Sequence, residues 1–266
     1  MSERRATWLF DLGNSRLKAA YLDDQTLSDP VSLAWDRAGF DSALDAHWRR
    51  WPAPERMLVA SVVAPARADR LRAALQAWPQ ARPQWLRSPR QGCGITNHYR
   101  VPERLGIDRF LAMAAARDAT NGGSVVVIGC GTALTLDAVD ANGVQQEGLI
   151  APSPELMLHA LRGATAIGET NPDAFAADEA DDSARALQQG CARAAAALAQ
   201  EYYANHSDPD RPLYLHGGGA SALRRSLEGE AAAHARLLED AVLRGLALWA
   251  KSGERGTGNG EPESSA

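Results

Sequence analysis

The sequence has little cysteine, no long apolar run and no excess of basic charge, and each shortage closes off a class of protein. Its three cysteines, Cys93, Cys130 and Cys191, are odd in number and never form a Cys-x-x-Cys pair. They signal neither a disulfide framework nor a zinc knuckle, and they fit a reducing compartment. No stretch approaches the roughly 20 apolar residues that cross a bilayer. The apolar run near the start, Trp8 to Phe10, is cut by Asp11 before it reaches the length of a signal-peptide core. A soluble cytoplasmic protein with no membrane partner is expected. Against 28 Lys and Arg stand 33 Asp and Glu, a net charge of -5, which argues against a chain that coats nucleic acid. A Walker A loop, a His-Glu-x-x-His helix and a Gly-x-Ser-x-Gly elbow are also missing, which removes the commonest P-loop, metalloprotease and esterase readings.

What is present is a globular composition, 45% hydrophobic and 23% charged, over 266 residues. That length makes one large or two small domains at roughly 100–200 residues each. Thr7 to Phe10 reads as a strand that enters the turn DLGNS and returns through Leu17 to Leu22. The same design recurs where Val125 to Ile128 enters GCGT and leaves through Ala133 to Val139 toward Asn142-Gly143. Setting Asp11-Leu12-Gly13-Asn14 beside Gly129-Cys130-Gly131-Thr132 aligns Gly13 with Gly131 and the polar residues after them. The match reads as two related halves or as two ordinary glycine-bearing hairpins.

Met57 to Val63 is a further strand candidate, followed by a helical stretch from Pro65 to Trp78. Arg109 to Ala119, Ser183 to Tyr203 and Ala231 to Lys251 carry helical patterns, and Leu213 to Leu215 is a short strand running into Gly217-Gly218-Gly219. Strands alternating with helices predict an α/β protein. The last stretch, from Gly253, is rich in Gly, Pro, Ser and Glu and is expected to be a disordered tail.

Three glycine-bearing turns, at Gly13, Gly131 and Gly217 to Gly219, each follow a strand. Such turns let backbone amides approach phosphate oxygens, and together they point to a nucleotide. Asp11 ends a strand beside a glycine, where its carboxylate either faces a divalent cation or caps an Asx-turn. Asp108, in LGIDRF, reads locally as the N-cap of the following helix, or as a general base next to an anion-holding Arg109. His98 and His216 admit either kind of role, and Cys130 reads as a small turn residue rather than a nucleophile.

The ordered set DLGNSRLK (Asp11 to Lys18), Tyr99 with Pro102 and LGIDR (Leu105 to Arg109), GTALTLD (Gly131 to Asp137) and LHGGGA (Leu215 to Ala220) resembles the type III pantothenate kinases. The resemblance spans nearly the whole chain. It implies an actin-like ATPase fold of two related α/β (ribonuclease H-like) domains, each a mixed sheet flanked by helices, with a nucleotide cleft between them. Domains over 1–120 and 121–252, with a tail over 253–266, are expected on that basis. The implied reaction is ATP-dependent phosphorylation of pantothenate to 4'-phosphopantothenate, the first step of coenzyme A synthesis. Mg2+ would assist it, with K+ or NH4+ beside it, in a homodimer whose interface helps form the pantothenate pocket.

Carried over by position, Asp11, Leu12, Gly13, Asn14, Ser15, Arg16, Leu17 and Lys18 would form the first ATP-binding segment, with Asp11 serving the magnesium through phosphates or water. Thr132 would supply the hydroxyl of the second phosphate motif. Tyr99, Gly106, Ile107, Asp108, Arg109 and Ser183 would contact pantothenate, with Asp108 the base that takes the hydroxyl proton. Two positions depart from the pattern. Gly129 stands where the family has an aspartate and offers no carboxylate to a monovalent cation, so only a modest dependence on potassium is expected. EGLIAPS (Glu147 to Ser153) replaces in part the family's Gly-Gly and Pro-Gly pairs, so a different turn is expected there. A nucleotide-binding regulatory protein with little kinase activity is the alternative, and a kinase for another small hydroxylated substrate is a third reading.

Overall fold

Thr7, Leu9 and Asp11 alternate with Trp8, Phe10 and Leu12 along β1 (Arg5–Leu12), and this strand organises the first half of the chain. The computed structural model describes residues 5–165, 182–206 and 211–253. β1 turns at Gly13 into antiparallel β2 (Arg16–Asp23), which also pairs with β3 (Thr26–Leu27) and β4 (Val31–Ala34). Helix α1 (Phe40–Trp48), parallel β5 (Ala53–Ser61), α2 (Pro65–Leu75) and parallel β6 (Pro83–Trp85) complete a sheet of order β3-β2-β1-β5-β6. A small hairpin, β7 (Gln91–Gly92) with β8 (Ile95–Thr96), and a 3-10 turn at Pro102–Arg104 then lead into α3 (Ile107–Asp118).

One face of β1 carries an aromatic core. Trp8 is fully buried, with ring centroids 5.7 Å from Trp48, 5.3 Å from Trp51 and 5.0 Å from Trp78. Its indole N–H donates to the Pro52 carbonyl at 2.9 Å, so the polar atom is not stranded by burial. All seven tryptophans of the chain lie in this half or in its last helix.

The second half repeats the plan. β9 (Val125–Cys130) turns at Gly131 into antiparallel β10 (Ala133–Val139), which pairs with antiparallel β11 (Gln145–Pro152). Helices α4 (Pro154–Ala164) and α5 (Ser183–His206) precede β12 (Leu213–His216), which lies parallel to β9. After α6 (Ala220–Arg225) and α7 (Gly229–His234), β13 (Ala235–Leu237) pairs parallel to β12, giving the order β11-β10-β9-β12-β13. In both sheets a central strand is paired antiparallel with the strand after its glycine turn and parallel with a later one. Asp11 and Gly129 each occupy the penultimate place of that central strand. The half-chain match in the sequence is therefore a match of topology.

The last helix departs from the sequence expectation. Ala231 to Lys251 reads as one helix, yet the chain forms α7, breaks into β13, passes Asp240 at φ 50°, and only then forms α8 (Ala241–Ser252). The sheet decides this: Ala235–Leu237 extend to form a ladder with β12, and the Leu238 N–H donates to the Leu215 carbonyl at 2.8 Å, so tertiary pairing overrides weak local propensity. The chain divides into one unit of residues up to Gly122 plus the segment from Asp240, and a second unit, Gly123–Glu239. A second domain running to 252 is thus corrected, because α8 packs on α3, β1, β2 and β5 of the first unit, with the Trp249 ring 6.1 Å from that of Phe110. The expected tail, apart from Gly253, lies outside the described residues. Of EGLIAPS, Glu147 to Pro152 belong to β11 rather than to a turn, and Ser153 is the N-cap of α4.

Gly245 makes the α3–α8 contact possible. A Cβ there would lie 2.3 Å from the Leu111 carbonyl oxygen and 2.7 Å from its carbon, both backbone atoms that cannot step aside. Gly245→Ala must push two helices apart, at an expected cost of about 1–3 kcal/mol. The variant should melt several degrees lower, and tryptophan fluorescence, which reports on this unit alone, would follow the transition; an unchanged midpoint would refute the close approach.

Candidate active site

Alternation along β1 puts Leu9 and Asp11 on the face opposite Trp8 and Phe10. That face is the one covered by α3 and α8. Antiparallel register sets Lys18 directly across from Asp11, and parallel register sets Ala60 on its other side. Asp108 lies in the first turn of α3, and Asp240 is the residue before α8. Lys18 Nζ donates to Asp240 Oδ1 at 2.8 Å, with both side chains partly exposed. The charges of Asp108, Lys18 and Asp240 all reach the Asp11 carboxyl at the end of β1.

Burial pushes the Asp11 carboxyl up to about 7; the charge of Asp108 adds to the rise, Lys18 pulls against it, and Asp240 adds again. A carboxylate in this position gains from any cation that arrives. Among the described residues no three His, Cys, Asp or Glu side chains are grouped closely enough to enclose a metal by themselves. Magnesium does not require such a cage, since it keeps several waters and commonly uses one or two carboxylates with substrate phosphates. The donor set at Asp11, hard oxygens with surplus negative charge, fits that ion.

The turn Gly13–Arg16 is exposed at Asn14, Ser15 and Arg16, while the side chains of Leu12 and Leu17 are buried in the core. Only the backbone of those two leucines can serve a ligand. Trp35 Nε1 donates to the Gly13 carbonyl at 2.8 Å, Arg67 donates to the Asn14 carbonyl, and the Arg67 guanidinium lies 5.9 Å from the centre of the Trp35 ring. These carbonyls are thus engaged from behind.

Asp108 is not the N-cap of α3; Gly106 holds that place. Asp108 Oδ1 accepts the Arg109 N–H at 2.8 Å, and a Cβ on Gly106 would fall 2.6 Å from the same oxygen. The glycine keeps this approach open. Arg109 is buried, and its guanidinium donates to the Tyr99 hydroxyl at 3.1 Å. Asn97, fully buried, accepts the Tyr99 N–H at 3.0 Å and donates to the carbonyls of Pro89 and Pro102 at 3.2 and 2.9 Å, which pins the segment that carries Tyr99. Gly106 and Ile107 also form one wall of a cavity of about 330 Å³ lined by Arg72, Arg87, Arg104 and Trp85.

The second unit holds the other expected residues. Thr132 is exposed in the turn after β9, and Ser183 is exposed at the first position of α5, whose first-turn Arg185 N–H is capped by Asp182 at 2.8 Å. Burial, with the nearby charge of Glu155, pushes the Cys130 thiol up to about 11, so it stays protonated and packs as a small residue against Gly219.

The profile of the type III pantothenate kinase family matches residues 8–205. The chain belongs to this family. Relatives named type III pantothenate kinase include one from Stenotrophomonas maltophilia (strain R551-3), 39% identical over 248 residues, covering 91% of this chain and 96% of that protein. Another, from Xanthomonas oryzae pv. oryzae (strain PXO99A), is 40% identical with the same coverage. A solved structure from Campylobacter jejuni, described as a Baf family transcriptional activator, matches with a TM-score of 0.56 at 19% identity, over 92% of this chain and 98% of its own. At that identity the likeness speaks for the fold, which is the actin-like ATPase fold of two α/β units. Membership of a kinase family implies ATP and a divalent metal.

In this kinase the expected site residues Asp11, Lys18, Tyr99, Asp108 and Arg109 all lie in the first unit. The sequence did not single out Asp240, which accepts from Lys18 across 222 residues, or Asn97, which accepts the Tyr99 N–H. Asn97 was legible in principle, as an Asx-type residue two before the tyrosine. Asp240 carried no local signal. Among the described residues no helix is long and apolar enough to cross a membrane.

Proposed function

We propose that this chain transfers the terminal phosphoryl group of ATP to the hydroxyl of pantothenate, giving 4'-phosphopantothenate, the first step of coenzyme A synthesis. The observation that carries the division of labour is the Asp11 carboxyl at the end of β1, raised to about 7 and acted on by the charges of Asp108, Lys18 and Asp240, with Lys18 bonded to Asp240. Phosphoryl transfer asks mainly for positioning and charge neutralisation, with one group to receive the nucleophile's proton.

Asp108 takes the proton of the attacking hydroxyl. Its Oδ1 is already engaged by the Arg109 N–H, which holds the carboxylate in one orientation at the helix start. Arg109, buried and steadied by Tyr99, offers its guanidinium to the carboxylate of pantothenate. The amides of Gly13, Asn14 and Ser15 and the Lys18 ammonium serve the ATP phosphates, and the Thr132 hydroxyl is the counterpart group of the second phosphate motif. Asp11 holds Mg2+ through water or phosphate oxygens, and the bound ion would neutralise charge developing on those oxygens. Ser183 contributes a hydroxyl to the acceptor. We read the protein as a cytoplasmic homodimer with no nucleic acid or membrane partner.

The test is ADP release from purified protein with ATP, magnesium and pantothenate, with the product weighed by mass spectrometry. ADP release that depends on pantothenate, together with a product heavier by one phosphoryl group, is the expected result. Folded protein that binds ATP but turns over no pantothenate would favour the regulatory reading.

A further inference from the structure

Strands β10, β9 and β12 lie side by side, and their register places Thr135, Gly129 and His216 in one row across the second sheet. Residues opposite one another on adjacent strands project from the same face. Gly129 contributes no side chain to that row, and its neighbours take the space. A Cβ at 129 would lie 2.5 Å from Thr135 Oγ1, 2.8 Å from His216 Nε2 and 3.0 Å from His216 Cε1. Side-chain atoms do not approach so closely, so a carboxylate at 129 and the His216 ring in this position exclude each other.

The backbone that follows the ring is closely held. The chain turns directly after it through Gly217, at φ 90°, where a Cβ would be 2.5 Å from the Cys130 carbonyl oxygen. The Gly219 N–H then donates to that same oxygen at 2.9 Å. The loop behind His216 is thus clamped to the end of β9. The matching place in the first unit shows the contrast: Asp11 is flanked by Lys18 and by Ala60, whose methyl group leaves room for a carboxylate. In the second unit the alanine's counterpart is a histidine and the aspartate's counterpart is a glycine. The residues present do not fit a potassium ion, which takes oxygen ligands, whereas imidazole nitrogen suits transition metals.

We propose that the His216 side chain fills the space of the carboxylate that the family carries beside the Gly131–Thr132 turn, so that no monovalent-cation site forms there and this kinase works without potassium. The proposal rests on the functional reading only in taking that turn as a phosphate site. Its test uses wild type, Gly129→Asp and Gly129→Asp/His216→Ala, melted with magnesium and a non-hydrolysable ATP analogue in KCl or in tetramethylammonium chloride of equal ionic strength. Wild type should melt at the same temperature in both salts. Gly129→Asp should melt several degrees lower or fail to fold, and removing the ring in the double variant should recover most of the loss. A potassium-specific rise in wild type, a Gly129→Asp protein as stable as wild type, or a double variant no better than the single one would each overturn the proposal. None of these arms contains pantothenate, so the proposal can fail while the kinase assay succeeds, and the reverse.

Discussion

Asp108→Asn should lower the turnover number by about 10²–10⁴-fold, the range for loss of a general base, while ATP and pantothenate still bind. The substitution is nearly isosteric, and an asparagine Oδ1 can still accept the Arg109 N–H that Asp108 accepts at 2.8 Å. The start of α3 and the Arg109–Tyr99 contact should therefore survive, so the loss falls on kcat rather than on KM or stability. Steady-state kinetics with pantothenate varied, calorimetric titration with ATP, and a melting curve separate the three effects. A variant that keeps full turnover would remove Asp108 from the chemistry. One that loses ATP binding as well would show that its carboxylate acts on the nucleotide or on the fold.

Asp11→Asn should also abolish most activity, yet make the ligand-free protein more stable at neutral and higher pH. The Asp11 carboxyl is raised from about 3.8 to about 7 by burial and by Asp108, so between those values the folded protein holds a proton that the unfolded chain has released. Stability contributed by this group is complete below the unfolded value and is lost as pH rises through the folded one. Asparagine has no proton to lose. The melting temperature of the variant relative to wild type should therefore climb from pH 4 to pH 8, by an amount that reflects up to a few kcal/mol. Magnesium with an ATP analogue should stabilise wild type at pH 8 more than it stabilises the variant. A difference that stays flat with pH would mean that Asp11 ionises normally in the fold. Equal stabilisation of both proteins by the magnesium nucleotide would mean that the ion is held elsewhere.

Much of this arrangement follows from short-range chemistry and could be read before any coordinates. Strand, glycine turn, strand is a local pattern, because alternation and the turn residues act over a few positions, and both hairpins appear where the pattern puts them. The helix that begins within LGIDR and the long helix from Ser183 follow from local periodicity in the same way. The candidate residues Asp11, Lys18, Tyr99, Asp108 and Arg109 were legible because each sits in a compact motif. Cross-strand register alone places Lys18 against Asp11.

What the sequence left open was set by contacts between distant segments. Asp240 closes on Lys18 because β13 interrupts a helical pattern and returns the chain to the first unit as α8, and the hydrogen bonds of a sheet edge outweigh propensity there. The raised carboxyl of Asp11 exists only when α3 and α8 cover it and bring two more acids near, a desolvation that no local pattern encodes. Gly129 by itself reads only as a missing carboxylate. The parallel pairing of β9 with β12, which joins residues 87 apart, brings a histidine into the space that a side chain would have filled.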